Sequence, residues 1–182
     1  FLFWIFFWCA MPRPIRTYVL GHELTHALWG VVLGAKLTQI KVGKKGGQVT
    51  LTRSNVLITL APYFFPFYTV LVVVAFEICS IFFDPGPYTP FWMALIGFTW
   101  GFHFTFTFST LATHQSDIET YGRLFSYTLI LWLNLLGLCI WVIAIGEPRL
   151  EDLEAGIREY LQAWGSSLHH AIQAWFDTYW NR

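Results

Sequence analysis

The chain has 182 residues, of which 55% are hydrophobic, 20% aromatic and only 12% charged. Eleven Lys and Arg balance eleven Asp and Glu, so there is no basic field to hold nucleic acid, and the charged share is about half the ~25% of a soluble domain. These figures argue against a soluble globular domain, a disordered chain and a nucleic-acid binder, and they predict a small polytopic membrane protein.

A membrane-spanning helix needs about 20 mostly apolar residues. The first apolar run, Phe1 to Met11, is too short and is stopped by Pro12 and Pro14. It reads as the remnant of a longer span or as an interfacial piece rich in Phe and Trp. No basic stretch precedes it and no small-residue cleavage site follows, which disfavours a signal peptide. Further runs extend from about Ile15 to Ala35, Asn55 to Phe83, Phe91 to Ala112 and Tyr121 to Ile145. The expected fold is an all-α polytopic membrane protein with four full transmembrane helices plus a partial N-terminal one. Cys9, Cys79 and Cys139 each sit alone in an apolar run and read as packing residues.

Between the second and third runs lies a polar insert, about residues 36–54. KLTQIKV and QVTLT are β-branched and roughly alternating, and they flank the turn signal GKKGG. The expectation is a small surface β-hairpin. It carries Lys36, Lys41, Lys44, Lys45 and Arg53 and no acid, which places that side in the cytoplasm by the positive-inside rule. Arg13 and Arg16 fall at the opposite end of the second run. Residues 1–146 therefore read as a membrane-embedded domain, and 147–182 as a separate segment. There Leu150, Leu153, Ile157, Leu161, Trp164, Leu168, Ile172, Trp175 and Tyr179 recur at helical spacing. Glu151, Asp152 and Glu154 near its start suit the positive end of a helix dipole. This is an amphipathic helix for the bilayer interface or for a protein partner.

The second run contains GHELTH. His22 and His26 are four residues apart and share one helix face, so both imidazoles can address one ion. Glu23 stands one step round, within reach of a water at that ion. This is the metalloprotease spacing, with zinc as the usual metal and the Glu as general acid/base. Ionisable groups inside a span are costly and mark functional paths. Gly30 and Gly34 form a GxxxG that admits a neighbouring helix. A catalytic zinc takes three protein ligands, and nothing further along this helix supplies the third. His103, midway along the fourth run, is a candidate third ligand or a support for one. Glu77 in the third run is another.

HELTH in one apolar run, a hairpin after it, the Pro-containing run NVLITLAPYFFP and a later acid before another run resemble the site-2 protease-like (M50-like) intramembrane zinc metalloproteases. The resemblance covers about Tyr18 to Ile145. It implies a third ligand in an Asp-Gly motif, here the stretch QSDIETYGRL and so Asp117, although Ile118 follows that Asp and the nearest glycine is Gly122. His114 and Glu119 flank Asp117 and read as solvated. The implied activity is hydrolysis of a peptide bond within or near the membrane, by an endopeptidase with zinc on His22, His26 and Asp117 and with Glu23 moving the proton. The hairpin would capture substrate by adding a strand. Expected partners are membrane lipid, a membrane-protein substrate and a protein at the C-terminal helix, with no nucleic acid. The alternatives are a non-catalytic scaffold of the same fold and a small transporter using His103, Glu77 and the HELTH residues as a polar path. Asn55 reads as a helix cap or substrate contact, Asn134 as an interhelical donor, and His169 and His170 as surface residues.

Overall fold

The computed structural model describes every residue except 1, 11, 44–45, 147–149 and 180–182. Lys44 and Lys45 of the expected turn, and the first three and last three residues of the expected tail segment, lie outside the described residues. The chain groups into two compact units, Phe1–Leu136 and Gly137–Arg182.

The first unit opens with α1 (Leu2–Ala10) and α2 (Ile15–Val32). Between them Pro14, at φ −77° and ψ 63°, is the centre of an inverse γ-turn in which Ile15 N–H donates to the Arg13 carbonyl at 2.8 Å. At its far end α2 stops at Gly34, whose φ of +77° suits a residue without Cβ. Arg53 donates to the carbonyls of Leu33 and Gly34 at 3.0 and 2.6 Å, satisfying acceptors that the end of a helix leaves free.

Strands β1 (Leu37–Val42) and β2 (Gly47–Leu51) pair antiparallel, with an irregularity between Leu37 and Gln39. The hairpin folds back along α2 and does not stand clear of it. Leu51 seats on Gly30, and Gly47 lies against the side chain of Glu23. The expected GxxxG contact is thus made by a strand at Gly30, while Gly34 serves as the helix terminator.

Asn55 accepts from Ile58 N–H at 2.9 Å and caps α3 (Val56–Phe64). A second inverse γ-turn, at Pro66 (φ −77°, ψ 75°), separates α3 from α4 (Phe67–Phe82), and the two helices meet at 76°. A 3₁₀ turn at Gly86–Tyr88 leads into α5 (Thr89–Leu111). The short α6 (Ser116–Thr120) follows, then Gly122 at φ +84°, then α7 (Arg123–Gly146). Leu60, Tyr63, Ile118 and Ile130 form one buried cluster joining α3, α6 and α7. Trp4, Phe102 and Phe106 form another between α1 and α5. The second unit holds the end of α7 and α8 (Leu150–Tyr179), whose Ile157, Leu161, Trp164, Leu168, Ile172, Trp175 and Tyr179 are exposed, as are His169 and His170.

The expectation of four full transmembrane helices is overturned. Among the described residues one helix is long and apolar enough to cross a membrane, Arg123–Ala144 in α7, and a second qualifies only if α3 and α4 count as one bent span. The reason is chemical. α2 has the length, but Arg16, His22, Glu23 and His26 lower its hydropathy. In α5 the apolar look comes largely from Phe and Trp, interleaved with Thr, Gly and His103. Trp favours the interface over the hydrocarbon, so aromatic content overstates the capacity to span. The third run is cut at Phe65–Pro66.

Candidate metal centre

Four elements place the site: α2 supplies His22, Glu23 and His26, β2 closes over Glu23, α3 anchors one imidazole and a tyrosine, and α6 brings Asp117. His22 Nε2 and His26 Nε2 lie 3.2 Å apart, and each is 3.5 Å from Asp117 Oδ2. Tetrahedral zinc with bonds near 2.0–2.1 Å separates its donors by about 3.3–3.4 Å. The three observed separations bracket that figure. The two histidine side chains are 12% and 14% exposed and that of Asp117 is 25% exposed, so the trio is sheltered yet open on the cleft side.

The second nitrogen of each imidazole is engaged, as metal-binding histidines require. His26 Nδ1 donates to the Ile58 carbonyl at 2.9 Å. A carbonyl only accepts, so the proton is on Nδ1 and Nε2 of the neutral ring offers a lone pair. His22 Nδ1 pairs with the Tyr18 hydroxyl at 3.2 Å, leaving its Nε2 toward the same point. Lone pairs and a carboxylate oxygen converging at 3.2–3.5 Å repel one another unless a cation or protons lie between them. The donor set fits zinc.

The availability of the Ile58 carbonyl has a sequence cause. In a helix it would accept from the N–H four residues on, but residue 62 is Pro and has none. Pro62 thereby frees the acceptor that fixes His26. Pro62→Ala restores a competing donor, and zinc affinity is expected to fall about 10–100-fold, the cost of losing such an outer partner. A competitive zinc titration against a chelator checks this, with thermal unfolding of the zinc-free variant to show that the fold persists. Unchanged affinity would remove Pro62 from the account.

Tyr63, fully buried, donates its hydroxyl to Asp117 Oδ2 at 3.1 Å and sets its ring edge-on to His22. Asn134 of α7 donates to the Tyr63 carbonyl at 2.9 Å, and Ser126 to the Ile118 carbonyl at 3.0 Å. Asp117 is therefore held through both its hydroxyl partner and its own short helix. Burial alone would push the Asp117 carboxyl up. When protonated at Nε2, His22 and His26 donate to the carboxylate and face it with positive charge, which outweighs burial and holds the carboxyl well below the usual carboxylate range.

The other candidates lie elsewhere. His103 is buried in α5 and lines a small cavity that His22 also touches, but it does not join the His22–His26–Asp117 group. Glu77 is exposed on α4. His114 pairs with Glu119 at 2.9 Å on the surface. Among the described residues the group that can hold an ion is His22, His26 and Asp117.

Glu23 is buried at 6% exposure, with its side chain against Gly47. The site opens into a cleft of about 710 Å³ whose walls are α2, β2 and the segment from Ser109 to Asp117. Tyr18, Ile58, Pro62, Tyr63 and Gly47 were not among the residues the sequence reading assigned to the site. Only Pro62, four residues after Ile58 in a capped helix, carried a readable signal. Comparisons with family models, with curated proteins and with solved structures returned no match to this chain.

Proposed function

We propose that the chain is a zinc-dependent endopeptidase that cuts a peptide bond within or next to a membrane, in the manner of the site-2 protease-like enzymes its HELTH segment resembles. One observation carries the reading: two imidazole nitrogens and a carboxylate oxygen stand at tetrahedral-edge separations beside a buried glutamate that faces a peptide-sized cleft. His22, His26 and Asp117 would hold the ion. Zinc there supplies Lewis acidity, lowering the pKa of water toward ~7 and polarising the scissile carbonyl.

The chain's own groups do the rest. Glu23 accepts the proton of the attacking water and passes it to the leaving nitrogen. The Ile58 carbonyl keeps His26 in one tautomer, Tyr18 holds the His22 ring in position, and Tyr63 aims Asp117 Oδ2. β2, which among the described residues pairs with β1 alone, offers a backbone edge along the cleft for a substrate to add as a strand.

α7 supports a membrane location, being apolar and exposed at Leu124, Leu131, Trp132 and Leu135. With α7 crossing the bilayer, the side bearing Lys36, Lys41 and Arg53 is assigned to the cytoplasm.

Zinc analysis of the detergent-purified chain, paired with peptide cleavage by wild type and Glu23→Gln, tests the proposal. Stoichiometric zinc is expected in both proteins, with cleavage lowered about 10²–10⁴-fold in the variant, the usual contribution of a general base. Undiminished cleavage by Glu23→Gln refutes the mechanism. Zinc in both with cleavage in neither leaves a scaffold of the same fold.

A further inference from the structure

We infer that Arg13 is an anion subsite of this cleft and that it seats a carboxylate of the peptide substrate. This deepens the peptidase reading and rests on it. Arg13 is the cation lining the cleft among the described residues. The cleft's two acids, Glu23 and Asp117, belong to the metal centre, and Arg13 makes no ion pair with any described carboxylate.

It is nevertheless held in place. Pro12 and Pro14 flank it and restrict the backbone on both sides, and the inverse γ-turn pins its carbonyl to Ile15 N–H. Its guanidinium lies over the Trp8 ring, 4.5 Å from the centroid. Trp8 meets Phe106 edge-on at 4.8 Å, Phe106 stacks on Tyr18 at 4.6 Å, and the Tyr18 hydroxyl bonds His22. A ladder of rings thus runs from the guanidinium to the first zinc-facing imidazole and fixes the offset between them. A guanidinium on an aromatic face keeps its planar edge of N–H donors free, and that edge matches a carboxylate in bidentate fashion. Orientation before binding limits the entropy lost when the anion arrives.

The carboxylate has two sources, an Asp or Glu side chain of the substrate or the free C-terminus of a peptide. The test uses the full chain in detergent carrying Glu23→Gln, so that bound peptide is not cut. Fluorescein-labelled decapeptides carrying one Glu at successive positions, their Gln counterparts, and the same peptides with free or amidated C-termini are titrated by fluorescence anisotropy. One register, or the free terminus, is expected to bind about tenfold tighter than its neutral counterpart. Adding Arg13→Gln should erase that preference without changing zinc content. Arg13→Glu should turn it toward Lys peptides.

A register-dependent preference assigns a side chain, and loss on amidation assigns the terminus. A Glu-to-Gln ratio unmoved by Arg13→Gln, or no preference in any register or at the terminus, overturns the inference. Charge-selective binding by a protein that holds no zinc and cleaves nothing would sink the peptidase reading and leave the Arg13 subsite standing.

Discussion

Asp117→Ala should abolish stoichiometric zinc binding while the protein stays folded. Asp117 is the one donor of the trio that does not come from α2, and without it the HELTH helix offers two imidazoles and no third protein ligand. The loss should exceed the ~10–100-fold that follows removal of an outer partner, and cleavage should fall with it. Metal analysis after dialysis against a weak chelator reads the first effect. Asp117→Asn separates coordination from packing, because the amide can still accept from Tyr63 but is a poor ligand. Wild-type zinc content in either variant would assign the third position to another residue.

The pH dependence of zinc binding has a defined sign. The Asp117 carboxyl is held well below the usual range by the imidazoles beside it, so it stays ionised throughout the interval in which histidines titrate. Protons therefore compete with the ion at His22 and His26, and affinity falls as pH drops. The loss comes first at His26, where burial is outweighed by Asp117 and the pKa stands above the free imidazole value, and then at His22, which burial lowers.

Gly47→Val is the second large effect. A Cβ built at Gly47 would sit 2.7 Å from Glu23 Oε1 and 2.8 Å from Cδ, so any side chain there displaces the carboxylate. Glu23 is buried between α2 and β2 and has to move as a whole. A shift near 1 Å in a reacting group costs about 10²-fold, and kcat should drop by that order while zinc stays bound. Gly46→Ala is the matched control, since a methyl there meets no atom of the described residues within 4 Å. Equal kcat in wild type and Gly47→Val would separate Glu23 from the chemistry.

The histidine pair and the glutamate were legible because helical spacing alone puts them on adjoining faces. The hairpin was legible in its alternating β-branched residues around GKKGG, but its path back along α2 was not. That path depends on Gly30 accepting Leu51 and Gly47 admitting Glu23, and a glycine's neighbours are invisible in one dimension. Tyr63 was hidden for a similar reason: among eighteen Phe, ten Trp and eight Tyr, nothing local marks the tyrosine whose hydroxyl meets an acid 54 positions away. The count of spans failed where Phe and Trp made α5 look more oily than its Thr, Gly and His103 allow, and where Pro66 broke the third run.

α7 does two jobs at once. Its Ser126, Ile130 and Asn134 hold the Ile118 carbonyl, the Leu60–Tyr63–Ile118 cluster and the Tyr63 carbonyl, and the same helix turns its leucines outward. The helix that is long and apolar enough to cross a membrane is therefore also the floor beneath Asp117. A truncation made to remove that apolar helix would strip away the floor, so the proposed metal centre and the apolar surface cannot be cut apart.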